Sequence, residues 1–293
     1  MMKKISKFLA LALTLALALS LAACGGDSGA KDTTPPESQP AGESVAPNEG
    51  SDPVVVRVGA TPAPHAAVLE VVKELLKEQN IDLQIQEFDD YILPNTAVED
   101  GSLDANYFQH ITYMNNFNEE NGTHLVNVAE VHYEPFAIYA GKTASLDELA
   151  DGATIAVPND GTNEARALML LEAQGLLKLR EGAGLAATKD DIAENPHNYE
   201  IQELTANLLT TTLQDVDIAI INGNYALGAG LTEDDALVFE DAAAAAAPYV
   251  NVLVVKEGRE NDEAIQALVK ALQSDEVKQF MQDNYGSAVV PAF

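Results

Sequence analysis

A single cysteine in 293 residues excludes a disulfide framework, because Cys24 has no second thiol to pair with. Basic residues are scarce as well. Lys and Arg number 16 against 46 Asp and Glu, for a formal net charge of −30. Three of the lysines (Lys3, Lys4 and Lys7) stand at the extreme N-terminus, so the rest of the chain is more acidic still. Nucleic-acid binding needs clustered Lys and Arg, as does electrostatic docking on anionic lipid; both are disfavoured. The acidity itself gives solubility and self-repulsion and identifies no ligand. There is no G-x-S-x-G, HExxH or Walker loop, so neither a catalytic residue nor a cofactor is expected. The five histidines (His65, His110, His124, His132 and His197) show no close metal-ligand spacing, and no metal site is expected. A metal-binding lipoprotein is kept only as a distant alternative. No repeat of solenoid period is present.

What the sequence does contain begins with a processing signal. After the basic start, residues 8–22 form an almost unbroken apolar run. It is shorter than the roughly 20 residues a membrane span requires and fits the core of a signal peptide. The run ends in Leu21-Ala22-Ala23-Cys24, which resembles a bacterial lipobox. Residues 1–23 are therefore read as a signal peptide and Cys24 as the lipidated mature N-terminus. Residues 24–53 are rich in Gly, Ser, Pro, Asp, Glu and Thr. Such a stretch cannot bury enough apolar surface to offset its ordering entropy, and it reads as a flexible tether. The expected location is extracytoplasmic, anchored to the bacterial cell membrane by lipid.

The remaining 240 or so residues suffice for one large domain or two modest lobes. Strand and helix patterns alternate, which argues for α/β architecture with mostly parallel sheets. Val54-Val55-Val56-Arg57-Val58-Gly59 is a buried-strand run. Val68, Leu69, Val72, Leu75 and Leu76 then recur at helical spacing over 65–79. Four segments share one layout, a strand followed by a polar loop that opens a helix: 58–65, 103–110, 155–163 and 218–225. Ligands in open α/β sheets sit beyond the carboxyl ends of the strands. Two such loops in each half would face one another across a cleft. The lobes are expected at 54–141 plus 251–293, and at 142–250.

The segments VGATPAPH, FDDYILPNTA, DGSLDANYFQHI, PNDGTNEARALMLL, ENPHN, INGNYAL, ALQSDEVKQF and the terminal AVVPAF resemble the methionine-binding lipoprotein family of NlpA/MetQ type. The resemblance runs from Val56 to Phe293 and includes the lipobox. It implies a two-lobed type II periplasmic-binding fold with hinge strands, an L-methionine ligand, and an ABC permease with its ATPase as partners. D-Methionine, a methionyl dipeptide or another amino acid are the alternatives. Two stretches depart from the family pattern: Thr210-Thr211-Thr212, which could alter a cleft wall, and the alanine run 242–247, expected as a surface loop.

An amino-acid binder needs donors for a carboxylate, acceptors for an ammonium and a pocket for the side chain. Arg166 suits the carboxylate, since its planar fork can hold both oxygens, and it is expected in the first turn of a helix, where an anion is favoured. By residue chemistry alone it serves equally well as a surface partner of Glu164 or another carboxylate; the resemblance of Asn163-Glu164-Ala165-Arg166 to the family motif implies the ligand role. The resemblance likewise implies that Tyr107, Phe108 and His110 enclose the thioether, and Tyr91, on an earlier loop, is a further candidate by its aromatic ring. Aromatic rings suit sulfur, although some of these rings could equally be core. Asn222 and Asn224 flank Gly223, as acceptors for an ammonium or as ordinary Asn-Gly turn residues; within INGNYAL the resemblance favours the first for Asn222. His65 and Asn159 occupy analogous loops and complete the candidates.

Overall fold

In the computed structural model, residues 52–293 are described. The signal peptide, Cys24 and the tether up to Ser51 lie outside them. No helix of the described residues is long and apolar enough to cross a membrane. The first stretch runs β1 (Val54–Ala60), α1 (Ala67–Lys77), β2 (Ile81–Glu87), α2 (Leu93–Glu99), β3 (Ala105–His110), α3 (Ile111–Asn121) and β4 (Leu125–Tyr133). Then come β5 (Ala137–Ala140), β6 (Thr154–Pro158), α4 (Gly161–Ala173), β7 (Lys178–Leu179), β8 (Ile192–Glu194), β9 (Glu200–Leu204), β10 (Ile218–Ile221), α5 (Gly223–Gly228), β11 (Ala236–Phe239) and α6 (Ala242–Ala245). The chain ends with β12 (Val250–Lys256), α7 (Glu263–Leu272), α8 (Asp275–Tyr285) and β13 (Val290–Pro291).

Two main sheets organise these elements, in the orders β13-β4-β12-β3-β1-β2 and β11-β5-β10-β6-β9. Each has a parallel part, β2-β1-β3 in one and β10-β6-β9 in the other. The expectation of mostly parallel sheets holds only for those strands. β12 enters the first sheet antiparallel to both β3 and β4, and β5 lies antiparallel to β10 and β11. The physical reason is connectivity: strands that carry the chain between lobes are not joined to their neighbours by helical crossovers, so nothing imposes parallel pairing. β5 belongs to the second sheet, so the first crossing falls in Glu134-Pro135-Phe136, ahead of the boundary expected at residue 141. The return crossing ends where β12 begins at Val250, beside the expected 251.

Packing follows the apolar periodicity. Val68, Leu69, Val72 and Leu76 of α1 are fully buried against β1 and β2, with Leu268 and Leu272 of α7 and Val277 and Met281 of α8 in the same cluster. Each such side chain contributes on the order of 1.5–3 kcal/mol by leaving water. Ile155, Val157, Leu168, Leu171, Ile218 and Ile220 make a separate core for the second sheet. Two cores leave the polar strand ends of both lobes facing one another.

Candidate functional site

β3 is where local sequence reading and structure differ most. Residues 106–110 were expected as a loop after a strand, yet all six residues of β3 are buried strand. Their polar side chains are satisfied internally: Asn95 of α2 donates to Gln109 at 2.9 Å, and Asn106 donates to Asn95 at 2.8 Å. Neighbouring residues on a strand point to opposite faces. Tyr107 therefore enters the core beneath α1, while Phe108 joins Tyr91, Tyr113 and Phe117 on the other side. The register against β12 shifts here, Val252 pairing with Gln109 and Leu253 with Tyr107. That irregularity brings both Phe108 and Gln109 to one cavity wall.

The cavity is narrow, with a volume of about 20 Å³, on the scale of a single water. Tyr91, Phe108 and Tyr113 form an aromatic wall, with the Tyr91 ring 5.7 Å from Phe108 and 5.6 Å from Tyr113. His110 accepts the Tyr113 N–H at Nδ1 (3.0 Å), so Nε2 carries the proton and donates to Asn163 Oδ1 of the other lobe at 3.2 Å. Burial, and then the nearby Arg166 charge, depress the His110 pKa to about 3. The imidazole is thus a neutral bridge between lobes. Tyr91 adds a second bridge, its hydroxyl donating to Asn224 Oδ1 at 2.5 Å.

Arg166 marks one end of the wall. α4 starts at Gly161 with Asp160 as its cap, so Arg166 lies in the second turn, not the first. Asp160 also accepts the Asn163 N–H, which takes up part of the anion-binding capacity expected at this helix start. The guanidinium is buried and held from several sides. Nε donates to Glu240 Oε2 at 2.9 Å, and Nη2 donates to Glu240 Oε1 and to the Glu134 carbonyl. Tyr249 and Phe136 lie over it, with ring centres 4.1 and 4.8 Å away. Glu240 is itself fixed by the Tyr133 hydroxyl (2.5 Å) and the Phe136 N–H (2.9 Å). Glu240, not Glu164, is therefore the carboxylate that pairs with this arginine. Nη1 makes no hydrogen bond to any described residue, which leaves two N–H donors in a cavity-lining side chain.

Acceptors gather in the same cavity wall. Asn222 donates its amide to Asn163 Oδ1 at 2.9 Å, but its own Oδ1 is buried without a partner. Glu134, 6 % exposed, lines the same cavity. Gly223 permits its approach: a Cβ there would lie 2.8 Å from Glu134 Oε2 and 2.9 Å from Glu134 Cβ. Burial raises the Glu134 pKa; His65, Arg166 and the Asn224 N–H act in the opposite direction.

His65 and Tyr107, two of the expected ligand residues, are not on the wall. They stand behind it, in contact with His132 and Glu134. His132 Nε2 lies 2.7 Å from Glu134 Oε1 and His65 Nε2 lies 3.3 Å from the same oxygen. Among the described residues, His65, His132 and Glu134 form the group whose ligand atoms come within 4.8 Å of one another, close enough in principle for a metal ion. The 2.7 Å separation is a hydrogen-bond length, and neither histidine borders the cavity. The trio is a hydrogen-bonded cluster. Asn159 lies in a different cavity with Asn116, Glu120 and Asp160. Thr211 and Thr212 bond to carbonyls of their own helical turn, at Leu208 and Leu209, and Thr210 does not line the cavity. The alanine run, expected as a surface loop, includes the short helix α6, capped by Asp241.

Arg166, Phe108, His110, Asn222, Tyr91 and Asn224 thus meet at one cavity, while Tyr107, His65 and Asn159 do not. Gln109, Tyr113, Glu134, Asn163 and Asn251 of the wall were not anticipated. Glu134 carried a usable signal, as a lone acid in the apolar stretch Val131-His132-Tyr133-Glu134-Pro135-Phe136.

A family model described as NlpA lipoprotein matches residues 56–293. The chain is 45 % identical over 239 residues to membrane lipoprotein TpN32 of Treponema pallidum, covering 81 % of this chain and 88 % of that one. It is 43 % identical over 230 residues to the D-methionine-binding lipoprotein MetQ of Salmonella typhimurium, covering 77 % and 84 %. Among solved structures, a nutrient-binding protein from Burkholderia cenocepacia bound to methionine is similar with a TM-score of 0.78 at 40 % identity, covering 81 % of this chain and all of that one.

Proposed function

Because the chain belongs to the NlpA lipoprotein family, we propose that its cavity captures the zwitterion of a single amino acid, L-methionine, for delivery to an ABC importer. The broader statement is firm: this is a lipoprotein of the substrate-binding class that serves transport, with the two-lobed periplasmic-binding fold, and not an enzyme. One observation carries the finer reading. A single cavity is lined by Arg166, whose Nη1 has no hydrogen-bond partner among the described residues, by Asn222 with its unpartnered Oδ1 and by Glu134, beside an aromatic wall. Arg166 Nη2 donates to the Glu134 carbonyl, so the donor and acceptor ends are adjacent, as they are in an α-amino acid.

The division of labour follows from charge. Arg166 receives the carboxylate in a charge-assisted bond; Glu134 and Asn222 receive the ammonium. Phe108, Tyr91 and Tyr113 pack on the thioether, where each sulfur–ring contact is worth about 0.3–1.5 kcal/mol. The lobes, 54–133 with 250–293 and 137–249, close on the ligand by hinge motion at the two crossings. Cys24 bears the lipid, and the closed lobes present the ligand to a permease and its ATPase.

A thermal-shift panel on ligand-stripped protein tests this reading. L-Methionine at 100 times its dissociation constant should add about 2.7 kcal/mol of stability, or roughly 5–10 °C for a domain of this size. D-Methionine, methionyl dipeptides and zinc ions belong in the same panel. A shift with a dipeptide or zinc and none with any free amino acid would refute the assignment.

A further inference from the structure

Glu134 is surrounded in a way that ligand binding alone does not explain. A buried carboxylate is costly unless donors surround it. One donor, the Asn224 N–H, comes from the cavity wall, and another stands behind it. A carboxylate can only accept, so a histidine within bonding distance of it must present N–H. His132 therefore carries its proton on Nε2, and its Nδ1 must accept, which the Tyr107 hydroxyl satisfies by donating to it. His65 repeats the arrangement: Thr61 Oγ1 lies 2.7 Å from Nδ1, while Nε2 faces Asn251 Oδ1 at 3.2 Å and Glu134 Oε1 at 3.3 Å. The His132 N–H thus points at Glu134 Oε1, while the His65 N–H is given to Asn251 Oδ1 and the His65 ring stands beside the same carboxylate. Burial holds both rings neutral, at pKa values of about 4 for His65 and about 3 for His132.

We infer that His132, bonded to Glu134 and backed by Tyr107, and His65, held beside the carboxylate by Thr61 and Asn251, are positioning residues that keep Glu134 an ionised acceptor and so make the site selective for ligands bearing a free α-ammonium. The inference rests on the reading that Glu134 receives the ammonium. It assigns a role to two residues, Tyr107 and His65, that stand behind the cavity instead of in its wall. It also names the ligand class the site should reject, α-hydroxy or N-acylated acids with the same side chain and carboxylate.

The test compares L-methionine with its 2-hydroxy analogue by calorimetry on the folded, ligand-stripped chain. Wild type should prefer methionine by about a hundredfold, the scale of one or two hydrogen bonds between charged groups. His132→Met, which removes the donor at similar volume, should shrink that ratio by about tenfold or more. His132→Gln, which restores an N–H, should recover most of it. Tyr107→Phe loses only a hydroxyl and should shrink the ratio about threefold or more, which keeps the test decisive if His132→Met does not fold. A ratio unchanged in these variants, or a parallel loss of both ligands, overturns the inference. Glu134→Gln separates the two levels. If it collapses the ratio while the histidine and tyrosine variants do not, the ammonium assignment stands and the positioning role fails. If Glu134→Gln keeps the wild-type ratio, the ammonium assignment fails as well.

Discussion

Replacing Arg166 by alanine perturbs two things at once, and the structure indicates how to separate them. The first is stability. Among the described residues Arg166 is the one cationic partner of Glu240, so the variant strands a carboxylate that is 8 % exposed. Removing one member of a buried ion pair costs about 3–5 kcal/mol. Tyr133 and Phe136 still donate to Glu240, which favours the lower end. Loss of the stacking on Tyr249 and Phe136 adds about 0.5–2 kcal/mol. A total near 4 kcal/mol predicts a fall in Tm of roughly 8–16 °C. The second effect is binding, where the ligand carboxylate loses its counter-charge at a cost of about 2–5 kcal/mol, a loss of about thirtyfold to several thousandfold. The double variant Arg166→Ala/Glu240→Gln removes the stranded charge and should regain about 2 kcal/mol of stability with no gain in affinity. Urea unfolding and calorimetry on both proteins read the two effects independently. Methionine binding to Arg166→Ala within threefold of wild type would refute the carboxylate assignment. Affinity that returns together with stability in the double variant would show that Arg166 acts only through the fold.

Three further outcomes follow from the site. Gly223→Ala should weaken methionine by about tenfold or more, since its Cβ would meet Glu134 at 2.8–2.9 Å and displacing that side chain forfeits a charge-assisted bond; wild-type affinity would contradict the close approach. Phe108→Ala should cost methionine about 1.5–3 kcal/mol while costing alanine little, as competition calorimetry can show; equal losses would place Phe108 outside the side-chain pocket. For His110, the folded pKa of about 3 lies below the free value of 6.5. The unfolded chain then takes up the proton first, and this contribution to stability is lost as pH falls from about 6.5 toward 3. His110→Gln should therefore flatten the dependence of unfolding free energy on pH by up to about 1.4 kcal/mol per pH unit between pH 4 and 6. An unchanged slope in urea titrations would mean that the imidazole is not held neutral.

What the sequence made legible, and what it hid, has physical causes. α1 was readable because Val68, Leu69, Val72 and Leu76 lie on one face and are all fully buried. β1 and β10 were readable as short β-branched runs. β3 was not, because Asn106 and Gln109 look like loop residues until Asn95 of α2, distant in sequence, satisfies them. Read as a loop, β3 offers nothing to separate Tyr107 from Phe108, although strand alternation sends them to opposite faces. The turn assigned to Arg166 was off because Asp160 caps α4 earlier than Asn163 suggests. The partner of Arg166 could not be read at all: Glu240 is 74 residues away and only the second sheet brings it near. Glu134 was overlooked because an isolated acid has no periodicity to betray it. Its importance comes from two histidines, one of them 69 residues earlier, that converge on a single oxygen.

The account turns on the orientation of a zwitterion, and a crystal structure of the stripped protein soaked or co-crystallised with saturating L-methionine tests it most directly. The expected complex has the carboxylate within about 3 Å of Arg166 Nη1, the ammonium between Glu134 and Asn222 Oδ1, and the thioether against Phe108 and Tyr91. Density for methionine in the reverse orientation, or a closed cavity left empty while binding is measured in solution, would contradict it.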